Sequence, residues 1–114
     1  MNTISTHILD TARGVPAAGV PLKLEREAAD GSFGPFAQGV TDADGRVKDL
    51  LPKGEGLAAG VYRMSFDTSA YFALTQQEGF YPLVQVQFTV RTSDQHYHVP
   101  LLLSPFGFST YRGS

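Results

Sequence analysis

Three histidines in a chain of 114 residues are the side chains whose chemistry could operate close to neutral pH. His96 and His98 stand two positions apart near the C-terminus, and His7 lies near the N-terminus. An imidazole gains or loses a proton at little cost around pH 7, so two on one surface could act as general acid and base. A lone histidine is more often structural, so the interpretation depends on which surfaces these residues share.

Two arginines could bring positive charge to such a site. Arg112 stands between Tyr111 and Gly113, and Arg46 directly follows Gly45, where a predicted strand begins at a loop edge. The planar guanidinium fork suits an anionic, oxygen-rich heterocycle better than an ammonium group does. An arginine at a loop edge is also commonly a solvated surface charge, and for Arg46 this alternative stays open.

Strand alternation indicates which of these side chains share a face. In the run 96–104, the predicted core face consists of Tyr97, Val99, Leu101 and Leu103. The opposite face carries His96, His98, Pro100 and Leu102. In the predicted first strand, 4–10, His7 and Leu9 also face away from the core. A solvated face is usually rich in Lys, Glu, Thr and Gln, so leucine beside histidine predicts a surface covered by another copy of the protein.

Turn residues divide the whole chain into short alternating segments. Strands are predicted at 4–10, 20–27, 36–41, 46–50, 60–67 and 83–91, followed by two in a C-terminal hairpin that meets at Ser104–Pro105. One helix is predicted over Ser69–Gln77, with an N-cap within 67–69 and Gly79 as its stop. Eight strands and one short helix favour an all-β fold, an antiparallel β-sandwich of two sheets. A single domain is expected over residues 1–114.

Composition argues against several function classes. A net charge of −2 and a pI near 5.8 give no basic surface for nucleic acid or an anionic membrane. The absence of cysteine removes disulfides and thiolate metal sites, and fits a reducing, cytoplasmic location. No apolar run approaches the ~20 residues of a membrane span. The start of the chain lacks the features of a secretory signal.

Metal and serine chemistry find little support in the spacing of residues. The segment 42–45, Asp-Ala-Asp-Gly, resembles the opening of a calcium loop, but its glycine comes too early and no glutamate follows at the required distance, which predicts a plain turn. No His-x-x-x-His pair supports a dedicated zinc site, although adventitious metal at a histidine pair stays open. Ser109 and Thr110 lie outside any nucleophile-elbow motif. No metal or other cofactor is therefore expected.

The two ends of the chain carry a resemblance to a known family. Residues 96–114, ending in Tyr-Arg-Gly-Ser, resemble the C-terminal signature of the 5-hydroxyisourate hydrolases, the enzyme branch of the transthyretin family. The segments 7–10 (His-Ile-Leu-Asp) and 14–17 (Gly-Val-Pro-Ala) resemble the N-terminal signature, and the segments 34–37 and 60–63 also fit. The resemblance therefore spans essentially the whole chain.

The resemblance implies a prealbumin-like fold that assembles as a homotetramer, with a central channel between facing sheets and active sites at a subunit interface. It implies hydrolysis of 5-hydroxyisourate in urate degradation, by histidine-assisted attack of water on a ring amide. Catalytic roles are implied for His7, Arg46 and His98. The residues implied to bind substrate are His7, Arg46, His98, Tyr111, Arg112 and Ser114. We expect Tyr111 to narrow the channel into short pockets.

Two other function classes share these features. A non-catalytic carrier of small aromatic ligands would have the same fold, but the resemblance implies that carriers lack the set His7, Arg46, His98 and the ending 111–114. A structural or metal-storage module is the third class. The sequence does not say which histidine is base and which is acid; His98 paired with His7 is favoured as one acid–base unit. His96 is interpreted as a supporting or surface residue.

Overall fold

The elements that position these residues are nine short strands and one helix in the part of the chain that the structure, a computed structural model, describes: residues 2–52, 54–91 and 94–113. In chain order they are β1 (Thr3–Asp10), β2 (Val15–Pro16), β3 (Pro21–Glu27), β4 (Phe33–Val40), β5 (Arg46–Val47), β6 (Gly60–Phe66), α1 (Thr68–Leu74), β7 (Val84–Val90), β8 (His96–Ser104) and β9 (Gly107–Thr110). Within these ranges no helix has the length and apolar character needed to cross a membrane.

The strands form two sheets, as the alternation predicts. Sheet 1 has the order β2-β1-β8-β9, with β5 also paired to β1, and sheet 2 has the order β4-β3-β6-β7. One pair departs from the expected antiparallel pattern: β1 and β8 run parallel, in register from Thr3 opposite His96 to Asp10 opposite Leu103. A parallel pair needs a long crossover, and here the connection from β1 to β8 includes all of sheet 2.

Residues from both sheets build one apolar core. Its buried members on sheet 2 include Leu22, Leu24, Tyr62, Met64 and Phe66, and Val20 is buried just before β3, all as predicted from alternation. Those on β1 and β8 include Ile4, Ile8, Tyr97, Val99, Leu101 and Leu103. Each large apolar side chain contributes about 1.5 to 3 kcal/mol on burial. A one-residue slip of β1 or β8 would turn these side chains outward, so the core also fixes the positions of the residues on the opposite face.

Two segments near the edge of sheet 1 differ from the prediction. The predicted strand 46–50 is paired only as far as Val47, after which the chain leaves the sheet. Leu50 and Leu51 are 5% and 9% exposed and belong to the core, so apolar burial outweighs further strand pairing there. The predicted turn at 11–16 includes the two-residue strand β2.

The helix is shorter than predicted. Asp67 caps its start as expected, since its carboxylate accepts a hydrogen bond from the Ala70 backbone N–H. The helix ends at Leu74, and Gln76 follows with a left-handed φ of 56°. Gly79 is therefore not the residue that stops it. Instead a Cβ at Gly79 would lie 2.1 Å from Cδ2 of Phe72, so this glycine allows the chain to pass against the buried ring.

A buried hydrogen-bond network joins the helix to the end of β1. The Asp10 carboxylate, 1% exposed, accepts hydrogen bonds from the Tyr71 hydroxyl at 2.6 Å, Gln77 at 3.1 Å and the Arg13 backbone N–H at 2.9 Å. Burial raises the pKa of Asp10, but these bonds together outweigh it and hold the pKa below its ordinary value. Burial and the Asp10 contact raise the pKa of Tyr71 to about 12. The network anchors the strand that carries His7.

Removing the Tyr71 hydroxyl should weaken this anchor. We expect Tyr71→Phe to lower the free energy of unfolding by about 1 to 3 kcal/mol at pH 7, because Asp10 loses a buried donor. The folded-state pKa of Asp10 is depressed, so the stabilisation is present above its unfolded pKa of about 4 and is lost as pH falls through the folded value. Urea unfolding from pH 7 to pH 3 should show the difference between variant and native protein shrinking.

Tyr81→Phe is the matched control, because the Tyr81 side chain belongs to a surface cluster of aromatic rings. Its expected change is within about 0.5 kcal/mol. Equal stability of the Tyr71→Phe protein and the native protein at pH 7 would contradict the anchoring role.

Candidate functional site

The outer face of sheet 1 brings together side chains from three strands. His7 on β1 is the register partner of Arg46 on β5, and Ser5 on β1 is the register partner of His98 on β8. His96 lies two positions before His98 and therefore on the same face. We call the surface formed by Ser5, His7, Arg46, His96 and His98 the histidine face. The histidine face contains His7, Arg46 and His98, the three residues that the family resemblance implies to be catalytic. Their side chains point away from the core.

A chain of hydrogen bonds runs along the histidine face. The Thr3 hydroxyl lies 2.7 Å from Nδ1 of His96, and Nε2 of His96 lies 2.8 Å from Oγ of Ser5. The same Ser5 oxygen lies 2.8 Å from Nδ1 of His98. Both nitrogens of the His96 ring are thus engaged. On the His98 ring, Nδ1 takes part in this chain of hydrogen bonds and Nε2 does not.

The surroundings of His98 lower the pKa of its ring. Burial lowers its pKa, because the half-buried ring loses hydration of its charged form. The positive charge of Arg46 lowers the pKa further, as do His96 and His7, while a hydrogen bond with the Ser5 backbone acts in the opposite direction. Its net pKa lies below the ordinary value, so His98 is a neutral imidazole at pH 7 and can accept a proton.

A tight turn places Arg46 beside His7. The Asp42 carboxylate accepts hydrogen bonds from the backbone N–H groups of Asp44 at 2.9 Å and Arg46 at 3.0 Å. The bond from Arg46 is the main reason why the pKa of Asp42 lies below its ordinary value. Gly45 has a φ of +74°, and its carbonyl accepts a 2.8 Å hydrogen bond from the Ile8 N–H. The segment 42–45 is therefore a turn, as predicted, and it is docked on β1.

The C-terminal segment lies against His98. The Gly113 N–H donates a 2.9 Å hydrogen bond to the His98 carbonyl, and a Cβ at Gly113 would lie 2.5 Å from Cδ2 of His98. Only a glycine allows the backbone to come so close to the ring. The Arg112 guanidinium donates to the Gln95 side chain at 2.8 Å, with its carbon 4.7 Å from the centre of the Tyr97 ring.

A cleft of about 240 Å³ opens beside this segment, between β7 and β8. Its lining includes His98, Tyr111 and Arg112. Among the described residues, neither His7 nor Arg46 belongs to that lining, so His98 is the residue shared by the cleft and the histidine face. Tyr111 is 56% exposed. Ser114, the remaining predicted substrate-binding residue, lies outside the described residues.

Sequence reasoning did not identify two hydroxyl residues that contact these histidines: Ser5 on the histidine face, and Thr3 next to His96. Alternation alone puts them on the same face of β1 as His7. Their contacts with His96 and His98 depend on the parallel register of β1 and β8, which no local pattern encodes. The interpretation of His96 as a supporting or surface residue is consistent with its exposed position and its two hydroxyl contacts.

The fold and this surface define a prealbumin-like β-sandwich with imidazole and guanidinium groups gathered on one sheet. The HIUase/Transthyretin family model matches residues 4–113, and the chain belongs to this family. The sequence is 45% identical over 113 residues to the 5-hydroxyisourate hydrolase of Salmonella dublin, with 99% of this chain and 82% of the relative covered.

Two solved structures are similar to this one. Klebsiella pneumoniae 5-hydroxyisourate hydrolase has a TM-score of 0.85 and 40% identity, with 100% of each chain covered. Sea bream transthyretin in complex with thyroxine has a TM-score of 0.90 and 38% identity, with 96% of this chain and 93% of that chain covered. The family and the β-sandwich implied by the resemblance are confirmed.

Arg46 should control the protonation of His98 through its charge. We expect Arg46→Gln to raise the pKa of His98 toward its ordinary value, because one of the positive charges that disfavour the imidazolium is removed. Proton NMR titration of the ring C–H signals measures this, with the His98 signal assigned by its loss in His98→Asn. Arg26→Gln on sheet 2 is the control and should leave the titration unchanged. Identical His98 titrations in the Arg46 and Arg26 variants would show that Arg46 does not act on His98.

The turn that positions Arg46 should not tolerate a side chain at Gly45. A Cβ there would lie 2.4 Å from the Ile8 carbonyl oxygen, in addition to the strain of a left-handed φ. We expect Gly45→Ala to lower the free energy of unfolding by more than about 3 kcal/mol. Gly31→Ala is the control, with a φ of +86° but open space around the Cβ, and should cost about 1 to 2 kcal/mol. Equal costs would show that the turn is not packed against β1.

Proposed function

We propose that this protein hydrolyses 5-hydroxyisourate to 2-oxo-4-hydroxy-4-carboxy-5-ureidoimidazoline, a step in urate degradation. The observation that carries the proposal is the juxtaposition of His7, Arg46 and neutral His98 on the histidine face. Curated relatives with 45% identity over nearly the whole chain are named 5-hydroxyisourate hydrolases, which supports the same substrate.

The proposed chemistry is attack of water on a ring carbonyl. A neutral imidazole of the His7–His98 unit takes a proton from water as the new C–O bond forms. The ring C–N bond then breaks, and the departing nitrogen takes a proton from an imidazole. Positioned acid–base groups of this kind contribute ~10² to 10⁴ in rate. The oxyanion formed on the attacked carbonyl needs fixed positive donors, for which Arg46 beside His7 and Arg112 at the cleft are the proposed groups.

We also propose a homotetramer with the active sites at a subunit interface. The outer face of sheet 1 carries Thr3 and His96 at one end and Leu9 and Leu102 at the other. Leu9 and Leu102 are only partly buried within one chain, which supports a partner that covers their end of the face and leaves His96 open to solvent. Tyr111, more than half exposed, is proposed to narrow the channel between facing sheets. Light scattering that gives the mass of one chain would contradict this assembly.

A cytoplasmic location and a single domain over residues 1–114 remain predictions.

The alternative function is carriage of small aromatic ligands. This protein is similar to sea bream transthyretin, whose structure was solved in complex with thyroxine, and this similarity is the reason to test a carrier function. The histidine face distinguishes the two, because a carrier needs no base with a lowered pKa. Unchanged substrate decay together with tight thyroxine binding would select the carrier.

An ultraviolet time course tests the enzyme directly. Urate and urate oxidase generate the substrate, and we expect the protein to accelerate its decay over the spontaneous rate. His7→Asn and His98→Asn should each lower turnover at least about a hundredfold with the assembly intact, because each removes a proton-transfer group. Lys23→Gln, an exposed change on sheet 2, is the control and should keep full turnover. Full activity in both histidine variants would reject their assignment.

A further inference from the structure

We propose that Ser5 and His96 form a proton relay that connects Nδ1 of His98 to solvent, so that His98 is the base of the reaction and His96 is the point where its proton leaves. The proposal rests on the proposed hydrolase function and goes beyond it by giving the two C-terminal histidines distinct roles. Its basis is the continuous chain of short contacts from Thr3 through His96 and Ser5 to His98.

The hydrogen count of Ser5 couples the two histidines. Its hydroxyl has one proton to donate and lies 2.8 Å from both Nε2 of His96 and Nδ1 of His98. Because one hydroxyl proton cannot serve both contacts, at least one of the two ring nitrogens donates to Ser5. In one arrangement Ser5 accepts from Nδ1 of His98 and donates to Nε2 of His96, and in a second arrangement the two rings exchange these roles.

The first of these two arrangements makes His98 a base. Nδ1–H of His98 donates to Ser5, the Ser5 hydroxyl donates to Nε2 of His96, and Nδ1–H of His96 donates to the Thr3 oxygen. Nε2 of His98 then has a free lone pair. When that nitrogen takes a proton from the attacking water, the Nδ1 proton passes to Ser5 as the Ser5 proton passes to His96. His98 is neutral again with a proton on Nε2, and the positive charge lies on His96. The departing nitrogen takes its proton from His7, and exchange of the His98 ring protons with water after product release restores the starting tautomer.

Charge and exposure favour this direction of transfer. An imidazolium at His98 would be half-buried, close to Arg46 and His7 on β5 and β1, and covered by the segment that carries Arg112. His96 and Thr3 are exposed, so a charge on His96 is hydrated and its Nδ1 proton can leave to water. The relay therefore moves the positive charge from the poorly solvated ring to the well solvated one.

The first test separates the Ser5 hydroxyl from the shape of its side chain. Ser5→Ala breaks the chain, and we expect kcat to fall tenfold to a hundredfold with KM little changed. Ser5→Thr keeps a hydroxyl at the same position and should restore most of that loss. Equal kcat values for the alanine and threonine variants would overturn the relay.

The second test asks whether His96 carries a proton rather than only orienting Ser5. We expect His96→Ala to lower kcat tenfold or more, and free imidazole added to the assay to restore turnover in proportion to its concentration. Native protein should show no such dependence. Native kcat in His96→Ala would overturn the proposal, and so would a loss that imidazole does not restore, since that result indicates an orienting role alone.

The activity of the native protein shows whether the proposed function fails or only the relay fails. If it does not accelerate substrate decay, the proposed function fails. If it does, and neither the Ser5 nor the His96 variants behave as described, only the relay fails. Folding of each variant is checked by its thermal unfolding, so that a collapsed protein is not counted as a loss of proton transfer.

Discussion

The parallel pairing of β1 with β8 is the constraint on which the rest of the structure depends. It places Ser5 opposite His98 and joins the two ends of the chain along eight register pairs. One face of this pair is sealed into the core through Ile4, Ile8 and Leu101, each almost fully buried. The opposite face is thereby held at a fixed register, because moving it by one residue would expose those apolar side chains. Apolar burial thus positions the polar site.

Two further attachments hold the ends of this pair. At one end Asp10 accepts a hydrogen bond from Tyr71, which ties β1 to the helix between β6 and β7 of sheet 2. At the other end Gly113 lies against His98 and brings the C-terminal segment over the ring. The first attachment depends on the hydrogen bonding of Asp10, and the second depends on the small size of Gly113. Groups that are far apart in sequence therefore meet without a long, flexible loop.

Alternation and turn residues in the sequence predicted the structural features that depend on neighbouring residues alone. Alternation identified the inward residues of β1, β6 and β8, and turn residues identified the segment 42–45. The parallel register, the contact of Ser5 with two imidazoles and the departure of Leu50 from its strand all depend on distant partners. Arg46 could be placed near a loop edge, but its pairing with His7 required the register. The family resemblance supplied the predicted roles of residues that spacing alone left open.

Burial and the charge of Arg46 both lower the pKa of His98, which favours the neutral form that the proposed base requires. Within one chain the ring is already half-buried, and burial is the largest cause of its lowered pKa. In the proposed tetramer a facing sheet would remove more water from the same surface, and desolvation of an imidazole lowers its pKa further. In the proposed reaction Arg46 would offset the charge of an anionic substrate beside His98, because the positive charge of Arg46 opposes protonation of the ring. Assembly, substrate binding and the neutral base are thus mutually consistent.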